Sequence, residues 1–111
     1  MLLDPLSIDA LTSLITGDSD LTPYYSGPKL IEWFNPYGFE DEYCQGLPEK
    51  DSRSSYTLKR VKKINEDDNK MKNFLESIVD PRRYTQSNNL LDISKAVEVI
   101  NSIIALSLIH I

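Results

Sequence analysis

The side chains able to do chemistry are few, and their spacing argues against catalysis. The single histidine, His110, stands next to last in the chain, where nothing downstream could orient it as a general base or as the activator of a nucleophile. The single cysteine, Cys44, has no histidine placed to lower its pKa and reads as an inert, half-buried loop thiol. With no second cysteine there is no internal disulfide, redox pair or metal knuckle, which favours a reducing, cytoplasmic setting. Asp18 and Asp20 have the alternate spacing that opens a calcium loop, but the glycine needed at the sixth position is Pro23 and the glutamate at the twelfth is Lys29. The acidic run Glu40, Asp41 and Glu42 reads as a solvated loop. "SGPKL" at residues 26–30 lacks the first glycine and the lysine-serine ending of a phosphate loop, and Pro28 removes a backbone donor. The expectation is no catalytic residue, no metal and no cofactor.

Two sets of side chains remain. Trp33, Tyr37, Phe39 and Tyr43 with Arg53 combine the residue types enriched as anchors at protein interfaces. Trp33 lies beside an apolar helix face, so its ordinary role is the edge of a core. Lys59, Arg60, Lys62 and Lys63, flanked by Tyr56, form the second set. Basic side chains interleaved with rings suit a phosphate backbone, although charges opposite an apolar stripe are usually the wet face of a helix. Nucleic-acid binding by this set is therefore the alternative to a protein-binding role. Lys70, Lys72, Arg82, Arg83 and Tyr84 extend the basic set.

The elements that position these residues are helices. Ile8, Leu11, Leu14 and Ile15 recur at helical spacing after a cap at Asp4 or Ser7, and Gly17 is the expected stop. Ser26 caps a short second helix with Pro28 in its first turn and Leu30, Ile31 and Phe34 on one face, ended by the Asn35 and Pro36 pair. Residues 36–52 show no periodicity and make one long loop. Ser54 or Ser55 starts a third helix through Asn65, with Leu58, Val61 and Ile64 inward. Met71, Phe74, Leu75, Ile78 and Val79 give the cleanest amphipathic register, begun by Asp67 or Asp68 and stopped by Pro81. The last helix runs from about Asn89 to Ala105, and Leu106 to Ile111 is the best, ragged, candidate strand. The class is all-α, a compact bundle of about five short helices, with helices four and five supplying most of the apolar area.

A chain of 111 residues, 41% hydrophobic and 26% charged, can bury one modest core and reads as a single domain over residues 1–111. The net charge of −5 is unevenly spread: residues 1–51 hold ten acids and two bases, residues 52–111 seven acids and ten bases. An acidic whole is repelled by nucleic acid at long range. The apolar run "IIALSLIHI" at residues 103–111 is less than half of the roughly 20 residues a membrane helix needs, and "MLLDPLSIDA" is not a secretion signal. No membrane partner is expected. Burial of the apolar end would require the fold, a homo-oligomer or further chain, consistent with an N-terminal piece of a longer protein.

The order "SGPKLIEWFNPYGF", then Tyr43, Arg53 and Tyr56 before "LKRVKKIN", then a helix ending "IVDPR", resembles an N-terminal domain of AbiJ-like abortive-infection proteins, which serve bacterial phage defence. The likeness covers about residues 8–104 and departs from the pattern at "ALSLIHI". The resemblance implies a sensing or regulatory domain that precedes an effector, often a HEPN-type ribonuclease. No arginine here is followed at that signature's spacing by a histidine, so no ribonuclease residue carries over. The expected function is non-catalytic recognition or regulation, with a protein partner or the effector domain bound through Trp33, Tyr37, Phe39, Tyr43 and Arg53.

Overall fold

The computed structural model describes residues 2–85 and 92–109. Six α-helices follow in order: α1 Pro5–Thr16, α2 Gly27–Phe34, α3 Arg53–Ile64, α4 Asp68–Ile78, α5 Pro81–Tyr84 and α6 Ile93–Ile109. Two 3₁₀ turns, Asn35–Tyr37 and Pro48–Lys50, punctuate the long connection between α2 and α3. No strand occurs among the described residues, and the radius of gyration is 13.5 Å. The all-α bundle expected from periodicity is the architecture found.

Local chemistry sets most helix ends. Asp4 accepts the Ser7 N–H at 2.8 Å with Pro5 in the first turn, satisfying a donor the helix itself leaves unpaired. Gly17 ends α1 at φ 82°, its N–H on the Ser13 carbonyl, and a Cβ there would lie 2.0 Å from the Pro23 carbonyl oxygen. Only glycine fits that position. Asp67 caps α4 through the Asn69 and Lys70 N–H groups. Ser26 sits at the start of α2, yet its side chain makes no capping hydrogen bond.

Three expectations shift. The cap of α3 is Ser52, whose Oγ accepts the Ser55 N–H at 3.1 Å, not Ser54 or Ser55; the earlier start puts Arg53 in the first turn, where it reaches the end of α1. Pro81 both ends α4 and begins α5, because Asp80 caps the new turn through the Arg82 N–H, repeating the aspartate-proline start of α1. Residues 106–109 continue α6 rather than forming a strand. The proposed start of that helix at Asn89 to Leu91, like residues 110 and 111, lies outside the described residues.

The core is centred on α1, which packs against α3 and α6 and buries Leu11 and Ile15 completely. Phe34 of α2 and Phe74 of α4 stack with centroids 5.2 Å apart, and Tyr56 of α3 meets Phe34 edge-on at 5.8 Å. α6 contributes Ala96, Ile100 and Ile103 to the buried set but leaves Val99 and Leu106 exposed. It lies against α1 and faces Leu75 and Val79 at the end of α4 across Val97, Ile100 and Ile104. Asn65, buried at the end of α3, accepts the Leu2 and Leu3 N–H groups and donates to the Leu3 carbonyl, which fastens the N-terminal segment to the bundle.

Candidate functional site

The long connection is held down by one carboxylate. Asp41 accepts from Arg60 Nε at 2.8 Å and from its terminal nitrogen at 2.9 Å, a bidentate pair, and from the Tyr56 hydroxyl at 2.7 Å. Asn35 brackets the same residue's backbone, accepting its N–H at 3.0 Å and donating to its carbonyl at 3.1 Å. The hydrogen bond from Arg60 holds the Asp41 carboxyl below its usual value despite partial desolvation, with Tyr56 assisting. Burial, then the Asp41 hydrogen bond and charge, push the Tyr56 phenol upward, so it stays a neutral donor.

Arg53 is pinned at three points. Its guanidinium donates to the Thr16 carbonyl at 2.6 Å, the Tyr25 carbonyl at 2.8 Å and the Asp18 carboxylate at 2.8 Å, and Tyr24 stacks on it at 4.0 Å. It thereby ties the start of α3 to the end of α1. Asp18, one of the two acids of the calcium-loop pattern, spends its charge on this arginine, whose hydrogen bond lowers its pKa. Tyr43 lies across the first turn of α2: a Cβ on Gly27 would sit 2.8 Å from its ring. Between the two tyrosines runs an open groove floored by Gly27, Pro28 and Leu47 and edged by Asp51 and Arg53. Tyr24 is 62% and Tyr43 49% exposed.

Trp33, Tyr37 and Phe39 belong to a different neighbourhood. All three are partly buried against the core, Trp33 and Tyr37 on Phe74 and Phe39 edge-on to Phe34. Trp33 Nε1 donates to Ser77 Oγ at 2.9 Å, so its polar edge is already satisfied within the chain. The five expected partner-binding residues thus separate into two groups: Tyr43 and Arg53 at the groove, Trp33, Tyr37 and Phe39 around Phe34 and Phe74.

Lys59 and Arg60 meet acids of the preceding loop, and Lys63 an acid just beyond the end of α3. Lys59 reaches Glu49 at 3.0 Å and Asp51 at 2.9 Å, Arg60 holds Asp41, and Lys63 pairs with Glu66 at 3.0 Å. Lys62 is exposed. The hydrogen bonds from Lys59 to Asp51 and then Glu49 raise its pKa.

Arg83 carries the most buried charge among the described residues, and its chemistry was not expected from sequence. It is 6% exposed and donates to the carbonyls of Leu14, Ile15, Pro23 and Ile78 at 2.8–3.2 Å, capping the C-terminal ends of α1 and α4. Tyr25 and Trp33 flank it, each 4.7 Å from ring centroid to guanidinium carbon. Burial lowers its pKa from the free arginine value. Asp80 and Arg82 form an exposed bidentate pair that holds the Asp80 carboxyl at about 2. "DPRRY" reads as a stop in sequence, and only its likeness to the "DP" that starts α1 hinted at a second helix.

No group of three histidine, cysteine, aspartate or glutamate side chains among the described residues is placed to hold a metal ion. Cys44 is exposed rather than half-buried. No described helix is long and apolar enough to cross a membrane. The arrangement defines a small helical bundle with a groove between exposed tyrosines and an internally paired basic helix. Family models, curated proteins and solved structures offer no match to this chain.

Proposed function

We propose that this chain is a non-catalytic recognition or regulatory domain that binds a protein partner, or its own effector domain, across the groove between Tyr24 and Tyr43. The observation that carries the reading is the pair of exposed tyrosines beside an arginine already immobilised by four partners. Rings exposed beside a rigid, partly apolar floor can be covered at a smaller ordering cost than side chains on a free loop would require. Trp33, Tyr37 and Phe39 lie apart from the groove, packed on Phe74 and Phe34, and Tyr43 and Arg53 are the expected residues that carry this reading. A place in a cytoplasmic bacterial phage-defence protein, ahead of an effector, is the setting that the resemblance of "SGPKLIEWFNPYGF" and "IVDPR" suggests. Lys59, Arg60 and Lys63 are engaged by acids of the same chain, which favours the protein-binding reading over open nucleic-acid binding by α3.

A photo-crosslinking residue placed at Tyr43 in the native host tests this. The expected result is a discrete adduct that is absent when the probe sits at exposed Lys72 and that Tyr24→Ala removes while far-UV circular dichroism is unchanged. Identical adducts from both positions, or none from Tyr43, would count against it.

A further inference from the structure

We infer that the turn Pro48–Asp51 is a releasable acidic cover on α3, and that the surface beneath it takes the sugar–phosphate backbone of a nucleic acid. This goes beyond the protein-binding reading and stands on different residues. Two carboxylates, Glu49 and Asp51, converge on Lys59 at 3.0 and 2.9 Å, occupying the ammonium as phosphate oxygens would. Lys62 and Lys63 follow on the same helix, both exposed. With the cover in place the surface has no net attraction for a polyanion. With the cover withdrawn, Lys59, Lys62 and Lys63 form one basic strip a single helical turn long.

The residues on either side of that turn are anchored to the bundle, while the turn itself is held by two backbone hydrogen bonds, from the Lys50 N–H to the Leu47 carbonyl at 3.0 Å and from the Asp51 N–H to the Pro48 carbonyl at 3.2 Å. On one side Leu47 is buried; on the other Arg53 is locked to the end of α1. Asp41, further back, keeps the bidentate grip on Arg60. Between these anchors Glu49 and Lys50 adopt left-handed backbone at φ 59° and 55°, a conformation that side-chain-bearing residues rarely hold without a compensating contact. For Glu49 the side-chain contact is the exposed pair with Lys59, in which Glu49 is 75% and Lys59 48% exposed, whereas Asp51 meets the same ammonium with a side chain only 17% exposed. Pairs as exposed as that of Glu49 contribute little and weaken with salt. Relaxation of Glu49 and Lys50 moves the Glu49 carboxylate away while Leu47 and Arg53 stay seated, and leaves Asp51 as the one carboxylate a phosphate must displace. A strand of phosphates competes for Lys59 directly, gains Lys62, which the cover does not reach, and takes Lys63 in exchange for its exposed pair with Glu66.

The test compares binding of a short labelled RNA oligonucleotide, and the DNA of the same sequence, by fluorescence anisotropy. Glu49→Gln with Asp51→Asn leaves every lysine in place. This double variant is expected to bind both probes at least about tenfold more tightly than the parent at low salt, and to lose that gain as salt is raised. Adding Lys59→Gln should return affinity to the parental level. Asp9→Asn with Glu98→Gln changes net charge equally on the exposed faces of α1 and α6 and is expected to leave affinity at the parental level. The inference is overturned if the cover variant gains nothing, if the remote variant gains as much, or if Lys59→Gln does not reverse the gain. Circular dichroism of each variant establishes that the fold is intact.

Discussion

At the scale of single residues, Asp41 and Arg83 each join several elements of the bundle. Asp41→Asn keeps the shape but removes the charge that Arg60 and Tyr56 address, and a charge-assisted, partly buried set of this kind is worth about 2 kcal/mol. Urea titration should show that loss as a lower midpoint with unchanged slope. The sign of its pH dependence follows from a folded pKa below the ordinary 3.8. The stabilisation is present above the unfolded value and is lost as pH falls through the folded one. The parent's melting temperature should therefore drop more steeply below pH 3.8 than that of Asp41→Asn, measured by thermal scans across the acid range. Arg83→Met should cost about 3 kcal/mol, because carbonyls of α1 and α4 are left buried without donors. Arg83→Lys should recover only a minor part, since one ammonium cannot spread to the Leu14, Ile15, Pro23 and Ile78 carbonyls that the planar fork reaches. Equal stability of the lysine variant and the parent would show that the fork geometry is not what matters.

At the scale of elements, the glycine stop of α1 was read directly, but a cap beside a proline was legible only in part: "DP" begins both α1 and α5, yet Ser7 competed with Asp4 for the first and the second read only as a stop. Starts were also ambiguous where serines repeat. In "DSRSS" three serines compete, and propensity alone does not choose among them. The choice of Ser52 follows from tertiary contact, since Arg53 must leave the first turn of α3 pointing at Thr16 and Asp18. Ser52→Ala should accordingly cost about 1 kcal/mol, with Ser54→Ala close to neutral. Denaturation midpoints of the two variants decide it, and a larger loss from Ser54 would move the cap. The long connection looked featureless because its order comes from polar contacts with Asn35, Tyr56, Lys59 and Arg60, none of which has a period to detect.

At the scale of the whole molecule, Trp33 reports on how the bundle holds together. It stacks on Phe74 of α4, lies beside Tyr25 and flanks Arg83 of α5, so its environment is destroyed by separation of any of these elements. Unfolding followed by its fluorescence should coincide with unfolding followed by far-UV circular dichroism, as one cooperative transition. A fluorescence change that precedes the loss of helix would mean that α2 and α5 undock from an intact α1, α3 and α6 core.

The sequence by itself determined the class, the helix faces and most of their ends, because these depend on apolar spacing and caps within a few residues of one another. It also located Phe34, Phe74, Leu11 and Ile15 on inward faces. What only the tertiary structure decided is which charges and rings remain available. Arg60 is spoken for by Asp41, 19 positions away, Arg53 by Asp18, 35 away, and Arg83 by Leu14, 69 away. The partner of a charged side chain is chosen by how helices dock, and docking leaves no periodic trace along the chain.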